Sequence, residues 1–173
     1  STIVGEDGST DLLSIVLNVQ PSSDVVFTIA SSDTGEATVT SSLTFTSANW
    51  DTPQNVTVTG VDDDPIDGDQ TSTLTISILD VVSDDDFDNV PDRTLSVTTT
   101  DDDVAGFTIA ETNGSTSVTE AGSTDLFTVV LNAQPTTDVV LTISSGDTGE
   151  ATVTSSLTFT AANWDTAQNV TVT

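Results

Sequence analysis

Cysteine, histidine, lysine and tyrosine are all absent from the chain, and Arg93 is its one basic residue. Without cysteine, neither disulfides nor thiolate metal sites can form. With histidine missing as well, no Ser–His triad or Cys–His pair can be assembled. Paired carboxylates, as in glycosidases, remain available, but they work in clefts lined with aromatic rings. The two Trp and six Phe sit mostly at core-facing strand positions, so catalysis is not expected. The lack of a basic face argues against nucleic acid or an anionic membrane as partner. No run of about 18 apolar residues exists, which excludes a membrane-spanning helix. No signal peptide is visible; the numbering opens at Ser1, inside a repeat, and any export signal is expected upstream.

What is present is acid. The 28 acidic residues give a net charge of −27, and only Glu6, Glu36, Glu111, Glu120 and Glu150 are glutamate, which leaves 23 Asp. Such a charge destabilises a compact fold by self-repulsion unless cations reduce it.

The chain repeats itself. Ser9–Thr59 recurs as Ser123–Thr173 at an offset of 114, with 11 differences in 51 positions and no gaps. Most differences are conservative, such as Ile15/Val129 and Phe27/Leu141. The second copy is preceded by Phe107-Thr108-Ile109-Ala110, whose counterpart falls before Ser1. It also stops where the first copy runs on into Gly60-Val61-Asp62-Asp63-Asp64. The expected organisation is therefore residues 1–103 as a repeat lacking its first strand and 104–173 as the N-terminal part of a second. A longer parent protein is expected to complete the truncated repeat; a neighbouring chain is the alternative.

No stretch carries the apolar spacing of a helix, whereas apolar–polar alternation recurs throughout. Leu13–Leu17, Val25–Ile29, Leu43–Thr46, Val56–Thr59, Leu74–Leu79, Leu95–Thr98 and Phe107–Ala110 read as strands. Turn residues separate them, as at Gln20-Pro21, Asp33-Thr34-Gly35 and Asp67-Gly68. About seven short strands per repeat point to an all-β fold of tandem immunoglobulin-like sandwiches. Trp50 and Trp164 fall in turn segments and are expected to close one end of a core.

The acids gather where strands end. Asp62-Asp63-Asp64 is followed by Asp67 and Asp69; Asp84-Asp85-Asp86 by Asp88; and Asp101-Asp102-Asp103 closes the first repeat. Adjacent carboxylates repel by roughly 1 kcal/mol at 4 Å in water, and more near protein. Hard oxygen donors gathered without nitrogen or sulfur select Ca²⁺ over transition metals, and Mg²⁺ prefers fewer carboxylates. A halophile's acidic surface would scatter acids over the strand faces, where this chain carries Thr and Ser. The role of the Asp84–Asp88 tract is left open.

Val4-Gly5-Glu6-Asp7-Gly8, Val61-Asp62-Asp63-Asp64-Pro65-Ile66-Asp67-Gly68-Asp69-Gln70 and Asp101-Asp102-Asp103 together resemble the Calx-β domain of sodium–calcium exchangers, integrin β4 and many bacterial surface arrays. The resemblance covers the first repeat and the available part of the second. It implies a β-sandwich with ions at one end, held by Glu6, Glu36, Asp62, Asp63, Asp67, Asp69, Asp101, Asp102 and Asp103. In the second copy it implies Glu120 and Glu150. Gln70 stands where the binding pattern has Glu, and Asp67 is shorter than the usual Glu, which implies fewer or weaker ions.

The expected function is a calcium-binding structural repeat of a secreted or cell-surface array. Ca²⁺ would rigidify the domains and their joint, with neighbouring or identical repeats as partners. The alternative is an adhesin module that binds carbohydrate or another cell surface. Asn55-Val56-Thr57, Asn113-Gly114-Ser115 and Asn169-Val170-Thr171 match the glycosylation sequon, a triplet that Thr-rich strands produce by chance.

Overall fold

Alternating Val, Leu, Ile and Thr build most of the strands. A computed structural model describes residues 2–173 and resolves them into two compact units. Of the described residues, the first comprises 2–63 and 67–102, and the second 64–66 and 103–173.

In the first unit the strands are β1 (Thr2–Gly5), β2 (Thr10–Ile15), β3 (Val25–Ser31), β4 (Ala37–Val39), β5 (Ser42–Phe45), β6 (Gln54–Gly60), β7 (Gln70–Ile78) and β8 (Arg93–Thr100). They form one sheet in the order β1-β8-β7-β3-β5 and another in the order β2-β6-β4. Most neighbours are antiparallel, but β1 runs parallel to β8, with Gly5 opposite Thr100. The two sheets enclose one core: Val4, Leu74 and Val97 from the first meet Ala37 and Val58 from the second. A further cluster of Leu17, Val25 and Phe45 is capped by Trp50, as the sequence leads one to expect. Phe45 is fully buried and meets Phe27 edge-on, with ring centroids 5.7 Å apart. Burying such side chains supplies most of the favourable free energy of folding.

Two strands, β1 and β4, were not legible as strands in the sequence. Both are short and are held by pairing to β8 and β6 rather than by pattern. The stretch after β7 forms two 3₁₀ turns, Asp80–Val82 and Asp85–Phe87.

The second unit holds β9 (Phe107–Glu111), β10 (Asp125–Leu131), β11 (Val139–Thr142), β12 (Ser156–Phe159) and β13 (Gln168–Val172). Its sheets are β13-β10-β9 and β11-β12. The repeated residues repeat their pairing: Leu13 faces Val56 as Phe127 faces Val170, and Val25 faces Phe45 as Val139 faces Phe159. Val129, Leu157, Phe159 and Val170 form its core. Pro65 makes an isolated bridge to Gln134 within this unit. The chain is thus mostly β, with no α-helix among the described residues.

Candidate metal centre

Two registers gather carboxylates at one end of the first unit. Because β1 and β8 are parallel, both finish at the same end, and the residues that follow them, Glu6 and Asp101, emerge side by side. Glu6 N donates to Thr100 O at 3.1 Å, which continues the ladder one residue past β1. In the second sheet Ala37 at the start of β4 faces Gly60 at the end of β6, so Glu36 lies against the segment leaving β6. Val61 N donates to Glu36 O at 2.9 Å, and Thr99 Oγ1 donates to the same oxygen at 3.2 Å.

The loop between β6 and β7 then turns back over this end. Gly68 makes the turn with φ of +77°, a conformation that glycine adopts without Cβ strain. Gly68 N donates to Asp101 Oδ2 at 2.8 Å, and Asp101 N donates to Asp69 Oδ1 at 3.3 Å. Gln70 Nε2 donates to Asp67 O at 3.1 Å, so this residue supports the loop through its amide.

As a result Glu36, Asp63 and Asp67 each bring a carboxylate oxygen within 4.8 Å of the others. Glu6 and Asp101 approach each other within the same limit. Glu6 is the critical member. It is 0% exposed, and neither carboxylate oxygen has a hydrogen-bond partner. Glu36 Oε2 is also buried without a partner. Burial, followed by the charges of Asp63, Asp101, Asp67 and Glu36, pushes the Glu6 pKa from 4.5 up to about 7. Glu36 is raised as well, first by burial and then by Asp67, Asp63 and Asp33. Among the described residues, the charges acting on Glu6 are all negative.

The remaining sequence candidates sit differently. Asp62 and Asp102 are exposed and belong to neither group, and Asp69 serves as an acceptor for the Asp101 backbone. Asp103 opens the second unit. Glu120 and Glu150, the counterparts of Glu6 and Glu36, are both exposed. Asp84 is buried elsewhere in the first unit and is held by backbone donors. Sequence reasoning had no means of seeing that it is already satisfied, since its tract looks like the other two.

Chemically, the cluster offers several oxygen donors, and among the described residues neither carboxylate oxygen of Glu6 meets a donor. A buried carboxylate in that position carries an uncompensated desolvation cost unless it is protonated or meets a cation. Oxygen-only donor sets of this kind suit a hard divalent ion.

No family model matches the chain, and no curated protein does so. Among solved structures, the chain is similar to the calcium binding domain CBD12 of CALX1.1, with 18% identity, 99% of this chain and 71% of that chain covered, and a TM-score of 0.44. CBD12 from CALX1.2 gives 17% identity over the same shares, with a TM-score of 0.43. The E. coli chaperone DraB gives 9% identity over 98% of this chain and 81% of its own, with a TM-score of 0.43.

Proposed function

We propose that the carboxylate cluster of the first unit binds Ca²⁺ and that the chain is a calcium-binding structural repeat of a secreted or cell-surface array. The observation that carries this reading is Glu6, fully buried with two unpartnered oxygens and with Asp63, Asp101, Asp67 and Glu36 as the charges acting on it among the described residues. A divalent ion supplies what those oxygens lack. Glu36, Asp63 and Asp67 are the ligands for one ion position, and Glu6 with Asp101 contributes to another. An ion at the first position would tie the start of β4 to the β6–β7 loop, and an ion at the second would tie the end of β1 to the end of β8. In this reading the carboxylates are ligands, not acid–base catalysts.

Extracellular modules hold Ca²⁺ with dissociation constants of about 10⁻⁴–10⁻³ M, which suits a site used outside the cell. The first unit ends at Asp102, one residue after Asp101, so fixing Asp101 would also restrict the joint that follows. Near-identical repeats suit a spacer or filament component, in which one unit is used many times.

Thermal unfolding across a calcium titration tests the binding. A midpoint that rises with Ca²⁺, rises less with Mg²⁺ and returns on adding EDTA is expected. An unfolding curve that is indifferent to millimolar Ca²⁺ and chelator would remove the metal role. Small-angle scattering with and without EDTA tests the joint separately: an unchanged maximum dimension leaves binding intact but eliminates stiffening.

A further inference from the structure

Among the described residues Asn113 is the one residue other than glycine with a positive φ, at +56°, and Gly114 beside it has φ of +77°. Together they close the 3₁₀ turn Thr112–Gly114 at the end of β9, and both are exposed. Asparagine tolerates the left-handed region because its short amide can bond locally. The amides of Asn49, Asn132 and Asn163 are held in place, accepting from Thr46 N at 2.6 Å, Thr108 Oγ1 at 3.0 Å and Thr160 N at 2.6 Å. The Asn113 amide has no such bond among the described residues.

We infer that Asn113 is a self-modification site, at which the Gly114 nitrogen displaces the side-chain amide and the chain acquires isoaspartate or aspartate. The Gly114 nitrogen gives up its proton to solvent and bonds to Asn113 Cγ. The Cγ–Nδ2 bond breaks, and Nδ2 takes a proton and leaves as ammonia. The resulting five-membered succinimide is opened by water. Breaking its bond between Cγ and the Gly114 nitrogen gives aspartate. Breaking its bond between the main-chain carbonyl carbon and that nitrogen leaves the chain running through Cγ, which is isoaspartate. Water is the only co-reactant, and no group outside the turn is required.

The surroundings favour this asparagine over the others. It alone is followed by glycine, whereas the exposed Asn18 and Asn89 precede Val19 and Val90, whose branched side chains hinder the attacking nitrogen. Asn55 and Asn169 also precede valine, and both are paired within β6 and β13. A Cβ built on Gly114 would meet nothing within 4 Å, so no packed neighbour crowds that residue. The bond that closes the turn, from Ser115 N to Thr112 O, is long at 3.4 Å. The Asn113 ψ of 18° can therefore turn to bring the nitrogen onto Cγ at little cost. Isoaspartate lengthens the main chain between Glu111 and Thr116, whose side chains are bonded at 3.2 Å, and so acts on the end of β9. Aspartate adds a further negative charge to a chain whose one basic residue is Arg93. This site does not depend on the metal reading.

The full chain is aged in mildly alkaline buffer, folded and, in parallel, in denaturant, and the modified positions are mapped by peptide mass spectrometry. In the folded chain, residue 113 is expected to react at least about tenfold faster than any other asparagine, and within about tenfold of its rate in denaturant. Isoaspartate is read independently, by methyl transfer from S-adenosylmethionine with a purified L-isoaspartyl methyltransferase, and is expected to exceed aspartate. Gly114→Ala is expected to slow the reaction about tenfold or more. Because alanine is strained at this φ, the slowing must also appear in denaturant, where the turn plays no part. A folded chain that stays unmodified while the denatured chain reacts, equal reaction at Asn18 or Asn89, or a Gly114→Ala chain that ages as fast as the parent would overturn the inference.

Discussion

Asp84 Oδ2 accepts hydrogen bonds from Ser22 N at 2.6 Å and from Ser22 Oγ at 2.8 Å, across 62 residues of chain. Ser23 N adds a third at 2.9 Å, and Asp86 N reaches Oδ1 at 3.1 Å. The carboxylate thus clamps the β2–β3 turn to the segment after β7 and caps the 3₁₀ turn Asp85–Phe87. The Ser23 amide, with Asp86 and Ser22 behind it, holds the Asp84 carboxyl down at about 2.

Asp84→Asn keeps the shape but weakens charge-assisted acceptance and puts an amide NH₂ where donors converge. The expected outcome is a fall of several degrees in the unfolding midpoint, of equal size in calcium and in EDTA. The acid limb has a definite sign. A carboxylate whose folded pKa lies below its unfolded value of 3.8 contributes stability above 3.8 that is lost as pH falls toward about 2. Unfolding curves between those values, with and without the substitution, should converge at the acid end.

Glu6→Gln removes the buried charge at nearly constant volume and separates two effects of opposite sign. In EDTA at pH 8 the variant is expected to be more stable than the parent, because the repulsion from Asp63, Asp101, Asp67 and Glu36 is relieved. In calcium the order reverses, since the parent gains about 2.7 kcal/mol per independent site at 100 times Kd and the variant loses a ligand. Paired melts in the two buffers check this, and parallel shifts without a crossing would contradict it.

The pH dependence of the metal-free chain follows from the same residue. Glu6 has its folded pKa raised from 4.5 to about 7, so the folded state binds the extra proton. The stability this contributes is fully present below 4.5 and is lost as pH rises through about 7. In EDTA the unfolding midpoint should therefore decline between these values, and Glu6→Gln should flatten the decline. With calcium the trend inverts over the same range, because the ion requires the deprotonated carboxylate and competes with the proton.

The core of the sandwich was legible because it rests on alternation: Val56 and Val58 point inward from β6, and Leu74 from β7, as a period of two requires. The strand ends carrying acid were legible too. What escaped was the parallel pairing of β1 with β8, which no local pattern announces and which sets Glu6 beside Asp101. The satisfied state of Asp84 escaped for a related reason. It stands in a run of three aspartates like Asp62–Asp64, and only the fold shows that Asp84 already has its donors while both oxygens of Glu6 have none. Glu120 shows the limit of the repeat itself. It repeats Glu6 in sequence, yet its flanking residues 116–119 form no strand and it lies exposed.

Gly60 is where packing and site meet most tightly. A Cβ built there would land on the carbonyl oxygen of Gly5, with the Gly5 carbonyl carbon at 2.8 Å. Both are backbone atoms of β1, so no side chain can swing away. Gly60→Ala must push β1 away from β6, and it displaces Glu6, the next residue after Gly5. An overpacking cost of about 1–3 kcal/mol is expected, with calcium affinity reduced in the same variant. Gly146→Ala is the matched control, since nothing lies within 4 Å of its added Cβ and Ser32 occupies the same position in the first repeat. That change should be neutral or stabilising by about 0.4–1 kcal/mol. Denaturant titrations of both variants check the pair. A Gly60→Ala chain as stable as the Gly146→Ala chain would show that β1 is not held against β6 in this way.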